Sequence, residues 1–249
     1  MSEKNIHAAA SSKSVKPAIT IMKRELKAYF TAPVAYIVTA LFLIVSGILF
    51  FSTFFLYDRA ELRRYFDLLP ILLSFFIPAL TMRIFAEERR VGSIETLMTL
   101  PVTELDVVAG KYIASLLSTL IMLAPTLLYI IPAAVFGSPD YGPIIGGFVG
   151  AVFLCAGFTA IGLFATSVTK NQIIAFFTGF IICIALSMID SFLIFLPSPI
   201  VSLLSYISAS GHFNSISRGI LDTRDVIYFI SLTALFFAGT VKVQQNSKC

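Results

Sequence analysis

Uncharged apolar runs long enough to cross a bilayer dominate the chain. A hydrocarbon core of about 30 Å needs roughly 20 apolar residues in a helix. We therefore expect six membrane-spanning helices, at residues 34–56, 66–85, 111–136, 143–169, 171–190 and 224–242. The second run contains Pro70 and Pro78, so it should be kinked. The predicted fold class is all-α, a polytopic membrane protein.

The segments that flank these runs predict further helices. Ahead of the first span, apolar side chains recur at helical spacing while basic ones project from other faces: Ile19, Met22, Leu26, Lys23 and Lys27. This pattern is typical of an amphipathic helix that lies in the membrane interface. Residues 191–225, before the last span, are mostly uncharged but rich in Pro, Gly and Ser. We expect short interfacial or re-entrant helices there, packed on other spans.

Composition excludes a water-soluble globule. Hydrophobic residues make up 57% of the 249 residues and charged residues only 13%, whereas soluble domains are about 25% charged. The three cysteines, Cys155, Cys183 and Cys249, are scattered, so neither a disulfide framework nor a metal-ligand spacing is indicated. We predict no catalytic, cofactor or metal residues.

Charge distribution predicts the orientation in the membrane. Thirteen of the 18 Lys and Arg residues fall in the N-terminal segment, the loops after the second and fourth spans, and the tail. Because basic residues accumulate in cytoplasmic loops, both termini should be cytoplasmic. We divide the chain into a flexible cytoplasmic N-terminus, residues 1–16, one transmembrane domain, residues 17–245, and a cytoplasmic tail, residues 246–249.

The loop after the second span carries helix-start and helix-stop signals. Ser93 can cap a short helix, Glu95 adds negative charge to its first turn, and Pro101 ends it. Thr103 and Asp106 form a second start, a relative of the capping box, which leads into the third span. The loop therefore predicts a short cytoplasmic helix of about two turns.

This loop resembles that of the ABC-2 family of ABC-transporter permeases. The family pattern is matched by Glu88, Gly92, Ser93, Glu95, Leu97 and Pro101. In that family the short helix, the coupling helix, docks into a groove of a cytoplasmic ATPase and passes its movement to the spans. A second run, from His212-Phe213 through Arg218-Gly219 to Tyr228-Phe229, resembles the gliding-motility branch of the family.

The resemblance implies a function without enzymatic activity in this chain. It implies the permease subunit of an ATP-driven exporter in a bacterial cytoplasmic (inner) membrane, in gliding motility or envelope export. ATP and Mg would be bound by partner ATPase subunits, and a second permease, identical or related, would complete the transporter. The implied ATPase-coupling residues are Glu87, Glu88, Gly92, Ser93, Glu95, Leu97 and Pro101. The only Gly-Lys pair, Gly110-Lys111, lacks the rest of a phosphate-binding loop.

Several alternatives stay open from sequence. The charged loop could be an ordinary solvated turn in which Glu87 pairs with Arg89 or Arg90. A self-sufficient ion-coupled carrier or channel would use Asp190, at the outer end of the fifth span, together with the re-entrant segment as its site. A membrane scaffold for an envelope complex is the third reading. Gly142, Gly146 and Gly150 form a small-residue ridge that packs either between subunits or within one subunit.

Overall fold

A computed structural model describes residues 3–56, 62–92, 103–136, 140–192, 204–220 and 222–246, with side chains from Pro17 onward and none for 53–56. The described residues are helical, without strands. The helices are α1 Glu3–Thr31, α2 Pro33–Leu56, α3 Arg63–Thr81, α4 Ala86–Val91, α5 Glu104–Leu123, α6 Ile130–Phe136, α7 Tyr141–Val168, α8 Gln172–Phe192, α9 Ala209–Ser217 and α10 Thr223–Asn246. A 3₁₀ turn at Ala124–Tyr129 joins α5 to α6.

The predicted fold class is confirmed. Within the described residues, six helical segments are long and apolar enough to cross a membrane: Pro33–Ser52, Arg63–Val91, Glu104–Phe136, Tyr141–Val168, Gln172–Phe192 and Thr223–Asn246. The protein is therefore an all-α, multi-pass membrane protein. The predicted coupling helix, with Ser93, Glu95, Leu97 and Pro101, lies outside the described residues.

Two helices extend beyond the sequence-based boundaries. The third span begins at Glu104 rather than at residue 111, and it is interrupted by the 3₁₀ turn, where Pro125 lacks the backbone N–H of a regular helix. Helix α1 begins at Glu3, so it runs through residues 3–16, for which we predict flexibility. That prediction stays untested.

Helix α7 forms the centre of the bundle. It packs against α3, α5, α8, α9 and α10, and most of its residues are buried. Its glycines make this possible, because a Cβ on Gly147 would overlap the ring of Phe66 and one on Gly162 would overlap Thr81. Small residues of this kind let helix backbones approach closely where lipid gives little hydrophobic driving force.

The second span is broken between α3 and α4. Helix α3 ends at Thr81, shortly after Pro78, and the chain resumes as a helix at Ala86. The Thr166 hydroxyl of α7 provides hydrogen-bond partners for two backbone groups at this break. It donates to Met82 O at 3.0 Å and accepts from Ala86 N at 3.0 Å. A buried hydroxyl thus replaces helical hydrogen bonds that the break removes.

The two ends of α7 mark the two ends of the bundle. Thr166, near its C-terminus, contacts the α3–α4 break, and Gly146, near its N-terminus, packs against α9. At 1.5 Å per residue these two positions are roughly 30 Å apart. The end that holds α4 and the start of α5 is the one for which the basic residues predict a cytoplasmic location.

Candidate functional site

A wholly buried lysine lies at the centre of the predicted cytoplasmic end. The side chain of Lys111, on α5, has no exposed surface. Its ammonium nitrogen lies 2.9 Å from Glu88 Oε1 and 3.3 Å from Glu25 Oε1, and it donates to the Ile84 carbonyl at 3.1 Å. It also lies 5.0 Å from the ring centre of Phe85. A buried ammonium is tolerated only with partners of this kind.

Arg24 completes the arrangement on the α1 side. Its guanidinium lies 2.7 Å from Glu25 Oε1 and 3.5 Å from Glu88 Oε1. We call Arg24, Glu25, Glu88 and Lys111 the Lys111 cluster; its two cations balance its two carboxylates. Burial alone would raise the pKa of Glu25, but the neighbouring Lys111 and Arg24 outweigh it and hold the pKa below its usual range.

A glycine lets α1 reach this lysine. A Cβ on Gly110 would lie 2.7 Å from the backbone oxygen of Ala18 and 3.0 Å from the side chain of Ile21. Only glycine allows α1 and α5 to pack this closely, and α1 packs along α5 more extensively than along α2. Helix α1, for which we predict an interfacial location, therefore packs on the third span.

The start of α5 is fixed by a local hydrogen-bond motif. Asp106 N donates to Thr103 Oγ1 at 3.2 Å, and Thr103 N donates to Asp106 Oδ2 at 3.2 Å. This reciprocal pair confirms the capping box predicted from sequence. It places Lys111 two turns into the helix.

Glu87 and Glu88, adjacent in sequence, differ in their surroundings. Glu87 pairs with Arg83 at 3.1 Å, one turn earlier, and both side chains are 38% exposed. Such a surface pair contributes little. Glu88 instead enters the Lys111 cluster, so the two acids for which we predict a coupling role have different partners.

Gly92 ends α4 in a conformation that favours glycine. Its φ is +75°, in the left-handed region, and a Cβ there would meet nothing within 4 Å. Glycine is therefore favoured here because of the backbone conformation, and not because a side chain would meet a neighbouring atom. Nearby, Arg89 donates to Gln244 at 3.3 Å, which connects α4 with α10.

The glycine ridge packs within this chain. A Cβ on Gly146 would overlap the Ile216 carbonyl oxygen of α9, and one on Gly150 would lie 3.2 Å from Ile216 and Phe213. Gly142 lies beside Gly219, whose own Cβ would be 3.2 Å from the Gly142 carbonyl carbon. These contacts correspond to the second alternative, packing within one subunit.

A second buried polar group lies at the opposite end. His212 Nδ1 is 2.6 Å from Asp225 Oδ1, and Nε2 is 3.2 Å from the Tyr206 carbonyl oxygen. The imidazole also stacks on Tyr228, with ring centres 4.2 Å apart. Since a carbonyl only accepts, Nε2 is the donor to the Tyr206 carbonyl oxygen. We call His212, Asp225 and Tyr228 the His212 cluster; it joins α9 to α10.

Sequence reasoning missed the most buried charge of the described structure. From sequence alone, Lys111 is one of the four basic residues of the loop after the second span, and Gly110-Lys111 only excludes a phosphate-binding loop. The available signal was a single lysine set between the apolar pair Val107-Val108 and the uncharged run from Tyr112 onward.

The bundle defines a multi-pass helical membrane protein, and the Lys111 cluster connects several helices at one end of it. A family model described as ABC-2 family transporter protein matches residues 34–241. The chain therefore belongs to the ABC-2 transporter family and is in general terms an ABC permease subunit, a class of membrane subunit that is not itself catalytic. Comparison with curated proteins finds no match to this chain.

Proposed function

We propose that this chain couples a partner ATPase to substrate movement through the Lys111 cluster. The observation that carries the proposal is that one buried lysine on α5 is bound at once by Glu88 at the end of the second span and by Glu25 on α1. Three segments that are distant in sequence are thereby joined. A displacement of any one of them acts on the other two.

The position of Glu88 supports a link to the predicted coupling helix. Glu88 lies on the six-residue helix α4, which ends at Gly92, immediately before Ser93. A partner that grips residues 93–100 would thus move α4 first. Because Glu88 and Arg89 connect α4 to α1, α5 and α10, this movement would reach several elements of the bundle.

In this proposal the chain undergoes the conformational change that moves substrate, and the partner ATPase hydrolyses ATP. Two ATPase subunits bind ATP and Mg, and two permease subunits, identical or related, form the route of an exporter. Glu95 provides a charge and Leu97 an apolar anchor for the ATPase. The resemblance to the gliding-motility branch suggests a role in motility or envelope export in the bacterial inner membrane, with both termini cytoplasmic.

The test uses charge changes in the predicted coupling helix. Glu95→Arg and Leu97→Asp should abolish co-purification with the ATPase and abolish transport, while membrane insertion and permease pairing stay as in the wild type. Arg218→Glu is the control, because this exposed cation lies beside α9 at the other end of the bundle. Retained ATPase binding and transport in both test variants would disprove the coupling role.

Asp190 does not favour an ion-coupled carrier. Its carboxylate packs against Gly211 in the first turn of α9, where a Cβ would lie 3.2 Å from Oδ1. A carboxylate near a helix N-terminus is stabilised by the helix dipole, which accounts for this acid without ion transport.

The alternative of a membrane scaffold predicts normal function with an ATPase-dead partner. That result would replace the proposed coupling function.

A further inference from the structure

The Thr166 hydroxyl occupies the place of one particular hydrogen bond in the second span. In an unbroken helix, Ala86 N would donate to the carbonyl oxygen of Met82, four residues earlier. Here the hydroxyl stands between these two groups, because it accepts from Ala86 N and donates to Met82 O, each at 3.0 Å. It also accepts from Phe85 N at 3.4 Å. Insertion of a side chain into the helical hydrogen bonds is a recognised cause of a helix break.

A second arrangement would leave the same groups bonded. If the hydroxyl withdrew, Ala86 N could donate directly to Met82 O, and the second span would become one continuous helix. The hydroxyl could then donate to the Gly162 carbonyl oxygen, four residues earlier in α7, which is a common partner of a helical threonine. Thr81, in α3, makes this kind of bond with Ile77 O at 3.1 Å. The two arrangements therefore differ little in hydrogen bonding.

The helices on either side of the break are held by different parts of the molecule. The last turn of α3 lies between α7 and α8, since a Cβ on Gly162 would overlap Thr81 and one on Gly179 would lie 3.3 Å from Pro78. Helix α4 is held instead through Glu88, which belongs to the Lys111 cluster. A displacement of the Lys111 cluster would therefore move α4 relative to α3, and the break is where the two helices would shift.

We propose that Thr166 is a positioning residue for coupling, whose hydroxyl keeps the second span broken until the partner ATPase displaces α4. The Ala86 N–H then changes its acceptor from Thr166 Oγ1 to Met82 O, and α3 and α4 become one helix. Movement of the coupling helix is in this way converted into a straightening of the second span. The role in coupling rests on the proposed function, whereas the effect of Thr166 on the break is a property of this chain alone.

The state of the break can be measured as a distance along the second span. Spin labels are attached at Ile71→Cys in α3 and Val91→Cys at the end of α4, two exposed positions, in a chain that carries Cys249→Ser. Cys155 and Cys183 are fully buried and stay unlabelled. In a straight helix the two labelled positions would be about 30 Å apart. Pulsed electron paramagnetic resonance measures the distance in the purified chain.

Three variants test the role of the hydroxyl. Thr166→Val removes it at nearly constant shape, so Met82 O and Ala86 N lose this partner in the broken arrangement. We expect the ratio of continuous to broken helix to rise about tenfold or more, and the label distance to shift toward that of a straight helix. Thr166→Ser keeps the hydroxyl and should give the wild-type distance. Thr159→Val is the matched control, because it removes another buried hydroxyl of α7, one that contacts Thr119 and not the break.

The link to coupling is measured on the complex with the ATPase. The labelled wild type is compared before and after addition of ATP with vanadate, which arrests the ATPase. We expect the wild-type distance to shift toward the Thr166→Val value, and we expect no further shift in Thr166→Val itself.

Four results would overturn the proposal. They are a wild-type distance in Thr166→Val, the Thr166→Val distance in Thr166→Ser, an equal shift in Thr159→Val, and an ATPase-bound wild type whose distance does not respond to ATP with vanadate. If Thr166→Val does not fold, the response of the wild type to nucleotide decides. Failure of the ATPase to bind would overturn the proposed function and with it the coupling role, and the distances in the chain alone would show separately whether Thr166 holds the break.

Discussion

The Lys111 cluster and the His212 cluster differ in what they connect. The Lys111 cluster joins residues that are 86 positions apart, Glu25 and Lys111, and 64 positions apart, Arg24 and Glu88. The His212 cluster joins residues only 13 positions apart, His212 and Asp225. The first cluster therefore depends on the assembly of the whole end of the bundle, whereas the second fixes one local turn between α9 and α10.

The clusters also differ in their charge partners. Lys111 has two carboxylates, a carbonyl and an aromatic ring around it, while Asp225 has one ring nitrogen, and its second oxygen is buried without a partner. A network with several partners can keep its contacts while its elements shift. We infer that the Lys111 cluster suits transmission of movement and the His212 cluster suits rigidity.

Removal of the buried cation should have the largest effect. Lys111→Met leaves Glu25 and Glu88 without their shared partner, and breaking a buried pair in this way costs about 3 kcal/mol; this is the lower end of the usual range because both carboxylates are partly exposed. A thermal melt with a thiol-reactive dye measures it, since Cys155 and Cys183 are fully buried. Cys249→Ser removes the third thiol from the assay.

Two comparisons sharpen this prediction. Lys170→Met removes an exposed cation between α7 and α8 and should leave the melt unchanged. Lys111→Met combined with Glu88→Met leaves Arg24 and Glu25 as a neutral pair, so the double variant should be more stable than Lys111→Met alone. A wild-type melt for Lys111→Met would show that the cluster contributes nothing.

A change in the other cluster should have a smaller and more local effect. His212→Phe keeps an aromatic ring on Tyr228 but loses the contacts with Asp225 and Tyr206. Although Asp225 is buried, it lies in the first turn of α10, where the helix dipole still stabilises its charge, so we expect a cost of about 1–2 kcal/mol. Co-purification with the ATPase should stay intact. His212→Gln retains an N–H donor, so its stability should lie between that of the wild type and that of His212→Phe. Loss of ATPase binding in His212→Phe would mean that both ends transmit movement.

Local signals in the sequence predicted local structure well. The six spans follow from uncharged runs because bilayer thickness sets the length of a spanning helix. The capping box at Thr103 and Asp106 follows from residues three apart in the chain, so it needs no tertiary information.

The Lys111 cluster was not predictable in the same way. A basic residue beside a span is assigned to a loop, so the third span was predicted to begin at residue 111 and not at Glu104. The helix continues past the lysine because Glu25 and Glu88 neutralise it, and Glu25 arrives only because Gly110 lets α1 approach. These conditions arise from long-range packing. Likewise, His212 and Asp225 stand in one sequence pattern, but their contact depends on the fold of the turn between α9 and α10.

The smallest expected effect is a pH dependence of the melting temperature. It measures the contribution of Glu25, the carboxylate that α1 brings to the Lys111 cluster. The pKa of Glu25 is lower in the folded protein than its ordinary value of 4.5, so its charge stabilises the fold above pH 4.5. That contribution is lost as the pH falls through the lowered value.

The variant Glu25→Gln lacks this charge at every pH. The wild type should therefore melt at a higher temperature than Glu25→Gln at pH 7, and the difference should close below pH 4.5 as Glu25 takes up a proton. Thermal melts of both proteins across pH 3–7 measure this difference, and other carboxylates cancel because the two proteins share them. A difference that stays constant across the range would mean that Glu25 acts through packing and not through its charge.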